Sequence, residues 1–208
     1  MDAGIVPVKR LGHAKRRLEA HFSRADCTRI ARAMFEDTLA LCRSADFISW
    51  WVVSDDPVVI DAAAEHGVRT HRDGGTGLNS ALLEAIAVVT ASGARSVTIL
   101  PSDTPLARRS DLDDILDTGV TSDLVVVPSR GDGGTNALYM NPADLMEPQF
   151  GAGSLAAHVR EAQERKLRCS ILTLERVELD IDTIEDVDAF LEVAERGRTY
   201  DLLKELRS

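Results

Sequence analysis

Ser96-Val-Thr-Ile-Leu-Pro-Ser-Asp-Thr-Pro105 is a short apolar run that stops at a proline and presents a carboxylate, Asp103, two residues later. A run with β-branched residues bounded by Pro reads as a buried strand. In an open parallel sheet, ligands sit beyond the carboxyl ends of the strands. That placement makes Asp103 a candidate metal ligand. An Asp before Thr-Pro also serves in turns and helix caps, and spacing alone leaves both readings open.

Outward from this stretch, strands alternate with helices. On its N-terminal side, Gly4 to Val8 reads as a first strand, and Asp26 to Arg43 as an amphipathic helix with Asp26 as its N-cap. Phe47 to Val53 reads as a strand buried on both faces, with Trp50 and Trp51 in the core. Pro57 to His66 reads as a helix stopped by Gly67, and Val68 to His71 as a short strand. A helix from Leu78 to about Thr90 precedes the Asp103 strand. On its C-terminal side come a helix over Ser110 to Asp117 and strands over Leu124 to Pro128 and Ala137 to Met140. A helix opening at Ser154, its N-cap, runs to about Glu164. Cys169 to Leu174 is strand-like, Val177 to Ile181 alternates apolar and polar residues, and helices cover Ile184 to Arg196 and Tyr200 to Leu206. The β-α rhythm calls for a mostly parallel sheet with helices on both faces.

Three loops are candidates for ligand binding, and a solvated basic turn, a plain flexible turn and an ordinary capped helix are the respective structural alternatives. Lys9, Arg10, Lys15, Arg16 and Arg17 follow the first strand, where a βα loop would meet a triphosphate. Asp73-Gly-Gly-Thr-Gly77 opens a helix and lets the backbone approach a ligand, although it is neither a Walker loop nor a dinucleotide fingerprint. Gly151 and Gly153 leave room for an anion at the positive end of the helix that follows.

Bulk properties limit the function classes. With 208 residues and 44% hydrophobic content, the chain is long enough for one sizeable core, so a single domain over 1–208 is expected. A net charge of -10 argues against coating nucleic acid and against an anionic membrane surface. Any anionic ligand must then be met by a local basic cluster or by metal ions. Cys27, Cys42 and Cys169 fit no metal-binding spacing and read as buried free thiols, which with the absence of a leader pattern leads to a cytoplasmic expectation.

Taken together, Val6-Pro-Val-Lys9 with Ala14-Lys15, Leu100-Pro-Ser-Asp-Thr-Pro105, Gly133-Gly-Thr-Asn136, Phe150-Gly-Ala-Gly-Ser154 and Asp180-Ile-Asp-Thr183 resemble one family along nearly the whole chain. The chain resembles the guanylyltransferases of deazaflavin coenzyme (coenzyme F-420) biosynthesis, which activate 2-phospho-L-lactate or phosphoenolpyruvate with GTP. The resemblance implies an α/β, three-layer Rossmann-like nucleotidyltransferase fold of the GT-A type. It implies that Asp103, Asp180 and Asp182 bind magnesium, expected as two ions, and that Asp103 and Lys15 serve catalysis. It places Lys9, Lys15, Gly77, Leu78 and Asn79 at the nucleotide, and Thr135, Gly151 and Ser154 at the phosphorylated acid, with 3-phosphoglycerate a further acceptor. A homodimer is the expected assembly. The first strand lacks the Gly-x-Gly-Thr-Arg loop of sugar nucleotidyltransferases, and Ser102 stands where many relatives carry Ala. A sugar-phosphate or molybdenum-cofactor nucleotidyltransferase, or a non-catalytic nucleotide-binding module, is the competing reading. No side-chain general base is required, so none of the five histidines is assigned to catalysis.

Overall fold

The computed structural model describes residues 1–74, 77–131 and 133–208; Gly75, Thr76 and Asp132, in two of the glycine-rich loops, lie outside the described residues. The strands are β1 (Asp2–Pro7), β2 (Ile48–Ser54), β3 (Arg69–Arg72), β4 (Ser96–Ile99), β5 (Leu124–Pro128), β6 (Thr135–Met140) and β7 (Cys169–Ile171). They form one seven-stranded sheet in the order β3-β2-β1-β4-β6-β5-β7. β6 runs antiparallel to both its neighbours, and the other pairings are parallel. The chain therefore builds outward from β1 to β3 on one side and then returns to place β4 on the other side of β1. That reversal opens a crevice beyond the carboxyl ends of β1 and β4.

The helices are α1 (Arg24–Ser44), α2 (Pro57–Glu65), α3 (Leu78–Ala91), α4 (Arg109–Gly119), α5 (Ser154–Glu164), α6 (Glu175–Glu178), α7 (Ile184–Val193) and α8 (Arg198–Arg207). Period-2 alternation along the strands divides the core in two. Val125, Val127, Ala137 and Tyr139 face one layer with α1, α2, α4, α6, α7 and α8, while Leu124, Val126, Leu138 and Met140 face the other with α3 and α5. The result is the three-layer α/β architecture expected from the sequence.

Several local expectations are corrected. Ser23, not Asp26, caps α1: its Oγ accepts the Asp26 amide at 3.1 Å, and the helix starts at Arg24. Gly153, in the left-handed region at φ 73°, precedes α5, so Ser154 is its first residue and not its cap. The alternation from Val177 to Ile181 is not a strand, because Val177 belongs to the short turn of α6 and the chain after it has no strand partner among the described residues. β2 is buried less evenly than a two-sided run would be; Trp50 is buried, whereas Trp51 is half-buried with the Arg69 guanidinium 5.4 Å from its ring centroid. Cys27 and Cys42 are buried free thiols as expected, and Cys169 is half-buried.

The close pairing of β1 with β2 depends on one glycine. Gly4 lies opposite Trp50, and a Cβ there would come within 2.2 Å of Trp50 Cε3. Since a buried indole between packed layers has little room to yield, Gly4→Ala is expected to destabilise the fold by about 1–3 kcal/mol. Urea unfolding of the two proteins measures the difference, and equal midpoints would contradict this account of the β1–β2 packing.

Candidate active site

Each acidic residue reaches the crevice by a different local device. Pro101 has no amide hydrogen, so the ladder of β4 ends before it and the chain turns, with Thr104 Oγ1 donating to Pro101 O at 3.3 Å. Asp103 sits in that turn, and its carbonyl accepts the Ile181 amide at 3.1 Å. This bond ties the end of β4 to the segment that carries Asp180 and Asp182. Asp182 lies just before α7, whose capping box pairs Thr183 with Asp186, and the Asp182 amide itself donates to Asp186 Oδ2 at 3.1 Å. Asn136, buried on β6, fixes the third carboxylate. Its Nδ2 lies 3.0 Å from Asp180 Oδ1, from Val177 O and from Glu178 O.

Asp103, Asp180 and Asp182 thus bring carboxylate oxygens within 4.8 Å of one another. Like charges this close repel, and the chain answers with a buried ammonium. Lys15 Nζ lies 2.8 Å from Asp182 Oδ1 and 3.1 Å from Asp103 Oδ2, with its side chain only 7% exposed. Its backbone is left-handed at φ 55°, a conformation uncommon outside glycine, immediately before the 3-10 turn Arg16–Ala20. Arg17 adds a longer contact, 3.8 Å, to Asp182.

These neighbours shift the protonation equilibria. Burial would lower the Lys15 pKa, but the Asp103 and Asp182 charges outweigh it and hold the ammonium above its ordinary value. Burial would likewise raise Asp182, yet Lys15 overcomes it and the carboxyl titrates below its usual range. Asp180 has no such cation. Burial pushes it up to about 6, the Asn136 hydrogen bond pulls it partly back, and Asp103 and Asp182 push it up further.

The three carboxylates open onto a cleft of about 850 Å³, a size suited to small-molecule binding. Although the protein carries a charge of -10, among the described residues the cleft is lined by as many cations (Lys9, Arg10, Lys15, Arg16, Arg17) as carboxylates (Asp55, Asp73, Asp103, Asp180, Asp182). The basic run after β1 is therefore gathered at the crevice, within reach of an anion. Of the residues singled out from the sequence, Lys9, Lys15, Gly77, Leu78, Asp103, Thr135, Gly151, Asp180 and Asp182 all line this cleft.

The other two singled-out residues, Asn79 and Ser154, hydrogen-bond within the protein. The Asn79 amide is spent on the backbone of Phe150, accepting from its N at 2.8 Å and donating to its O at 3.1 Å. Ser154 is buried behind Thr135 and donates from Oγ to Thr135 Oγ1 at 3.0 Å. Both therefore shape the walls of the cleft. Sequence reasoning left Asn136 without a role although it stands in one of the quoted motifs, and its signal was an amide two residues after a glycine pair. It also left His158 aside. That ring is fully buried on α5, its Nδ1 is 3.2 Å from Thr135 Oγ1, and burial pushes its pKa down to about 4.

Hard carboxylate oxygens clustered in a polar cleft are the donor set of a divalent cation such as magnesium or manganese. A cleft at the switch point of this sheet, with an acidic cluster beside a basic loop, suits a phosphorylated ligand together with a divalent cation. Solved structures agree on the fold. A Desulfovibrio desulfuricans G20 protein assigned to the nucleotide-diphospho-sugar transferases superposes with a TM-score of 0.82 at 18% identity, covering 99% of this chain and 96% of that one. A Mycobacterium tuberculosis H37Rv chain solved in complex with manganese superposes with a TM-score of 0.63 at 18% identity, covering 93% of this chain and 99% of the other.

Sequence relatives define the family. The 2-phospho-L-lactate guanylyltransferase of Methanothermobacter thermautotrophicus is 34% identical over 205 residues, 98% of this chain and 90% of its own length. The phosphoenolpyruvate guanylyltransferase of Conexibacter woesei is 35% identical over 193 residues, 91% of this chain and 86% of its own. The 3-phospho-D-glycerate guanylyltransferase of Phenylobacterium zucineum is also 35% identical, covering 94% of this chain and 92% of its own. Residues 2–208 match the profile of the family described as guanylyl transferase CofC like, and the chain belongs to that family.

The raised pKa of Asp180 yields a stability prediction for the metal-free protein. A carboxyl that holds its proton more tightly folded than unfolded favours the fold at low pH, and that contribution is lost as pH rises through the folded value near 6. Asp180→Asn removes the loss while keeping an oxygen for Asn136. At pH 7 in chelator, the variant is expected to be more stable by about 1–2 kcal/mol, allowing for partial solvent screening, with the gap closing near pH 4. Thermal unfolding at the two pH values measures it; a variant no more stable at pH 7 would contradict the electrostatic account.

Proposed function

We propose that this chain transfers GMP from GTP to the phosphate of a small phosphorylated carboxylic acid, in the class of 2-phospho-L-lactate, phosphoenolpyruvate and 3-phosphoglycerate, releasing pyrophosphate. The observation that carries this reading is the grouping of Asp103, Asp180 and Asp182 around the buried Lys15 in a cleft with a basic rim. The names of the relatives supply the donor and acceptor class, and deazaflavin coenzyme biosynthesis is the process we assign to the product. Both substrates are phosphorylated anions of the cell interior, which supports a cytoplasmic location.

An oxygen of the acceptor phosphate attacks the α-phosphorus of GTP, the bond to the bridging oxygen breaks, and pyrophosphate departs with the electron pair. The acceptor phosphate is already largely ionised at neutral pH, its second pKa being near 6, so no side chain has to remove a proton. The obstacle is the approach of two anions. Lys9, Lys15, Arg16 and Arg17 line the nucleotide side of the cleft and are assigned to the triphosphate and the departing pyrophosphate. Gly77 and Leu78, at the start of α3, are assigned to the nucleotide; Thr135 and Gly151, at the start of β6 and before α5, to the acceptor.

Asp103, Asp180 and Asp182 are assigned to magnesium, as two ions once the triphosphate adds its oxygens. Bound there, magnesium would neutralise phosphate oxygens and orient the reacting groups. Lys15 holds Asp103 and Asp182 in place beforehand and favours the ionised form of Asp182.

Pyrophosphate release with GTP and magnesium, run against each of the three acids with mass detection of the product, tests the reading. A guanylylated acid from at least one is expected, and none from a folded protein that binds GTP would contradict it. Asp103→Asn is expected to reduce turnover by about a thousandfold, the scale of a lost transition-state charge contact, while GTP affinity changes far less. A small loss of turnover would contradict the role given to Asp103.

A further inference from the structure

Behind the acceptor wall of the cleft lies a chain of hydrogen bonds whose direction is set by a backbone amide. His158 Nε2 is 3.0 Å from the Gln149 amide nitrogen. A backbone N–H only donates, so Nε2 accepts and carries no proton. The neutral ring then bears its hydrogen on Nδ1, 3.2 Å from Thr135 Oγ1, and must donate to that oxygen. Ser154 Oγ also donates to Thr135 Oγ1, at 3.0 Å. Both donors come from α5, both are buried, and together they occupy the two lone pairs of the threonine oxygen. The hydroxyl hydrogen of Thr135 is thereby turned away from α5, and no acceptor for it is found among the described residues. Thr135 itself lines the cleft beside Gly151.

We propose that His158 is a positioning residue that fixes Thr135 as an obligate hydrogen-bond donor into the cleft, selecting a group there that accepts a hydrogen bond, such as an oxygen of the phosphorylated acid. The proposal rests on the acceptor side assigned above to Thr135 and deepens it. A hydroxyl is ordinarily free to donate or accept, and so tolerates a donor as well as an acceptor opposite it. With both lone pairs occupied, it offers only its hydrogen. A carboxylate or phosphate oxygen satisfies that hydrogen, whereas an ammonium or other pure donor at the same place would leave it facing a donor. The T-shaped contact of the Phe150 ring with His158, 5.7 Å between centroids, helps hold the imidazole in its plane.

The tautomer is read directly on the protein without substrates. Long-range proton–nitrogen NMR of imidazole-labelled protein at pH 7 is expected to show Nδ1 protonated and Nε2 bare; a proton on Nε2, or an imidazolium, would overturn the proposal. The functional half uses two variants that divide the two hydrogen bonds. His158→Gln can keep an acceptor near Nε2 for the Gln149 amide but places no donor at the Nδ1 position facing Thr135, and His158→Asn restores a donor near Nδ1. For His158→Gln, KM for the acceptor acid is expected to rise by about tenfold or more, the scale of a lost bond to a charged group, with KM for GTP within about twofold. His158→Asn is expected to recover most of that loss. In a Thr135→Val background, His158→Gln is expected to add nothing further. An unchanged acceptor KM, a parallel rise in both KM values, or full additivity with Thr135→Val would overturn it. Were no acid turned over at all, the functional reading would fall, and calorimetric titration with 2-phospho-L-lactate, phosphoenolpyruvate and 3-phosphoglycerate would decide the His158 effect on binding by the same criteria.

Discussion

A buried ammonium between two carboxylates organises this protein. Lys15 comes from the loop after the first strand, Asp103 from the end of the fourth and Asp182 from the start of a helix near the C-terminus, so three distant parts of the chain meet at one charge. An unpaired cation buried to this degree is costly, and so are three carboxylates crowded without one. Each half therefore requires the other. The same pairing places the basic run of residues 9–17 along the cleft and accounts for the left-handed backbone of Lys15, which two carboxylates hold in place.

The remaining parts of the site are arranged so that its acids differ. Asp182 is held ionised by Lys15, while Asp180, held by an amide instead of a cation, is biased toward its protonated form. A site built in this way is only partly neutralised while empty. It keeps an acceptor set ready for a cation, at some expense in stability of the empty protein. Such local instability is common where a fold is shaped for binding.

Much of this was legible in the sequence because it depends on local rules. The apolar run ending at Pro101 located β4 and Asp103, since a residue without an amide hydrogen terminates a ladder whatever surrounds it. The β-α rhythm gave a mostly parallel sheet. What was not legible depended on neighbours distant in sequence. Val177 to Ile181 alternates like a strand, yet Asn136 on β6 captures the Val177 and Glu178 carbonyls and holds the segment away from any ladder. Asn79 has the look of a ligand-reading amide at a helix start, and a backbone segment 71 residues away occupies both ends of it. Ser154 has the composition of a helix cap, but a left-handed glycine before it takes that position and turns the hydroxyl toward Thr135. His158 carried no signal, because a histidine's role depends on which ring nitrogen meets a donor, and that is a property of the folded chain.

The measurement that tests the central claim most directly is the binding of manganese, followed by electron paramagnetic resonance, to the native protein and to Asp182→Asn, each with and without GTP. If the three carboxylates gathered around Lys15 form a cation site, the native protein takes up manganese, more tightly with GTP, and Asp182→Asn loses most of that uptake. Equal uptake by both proteins, or none by either with GTP bound, would contradict the account.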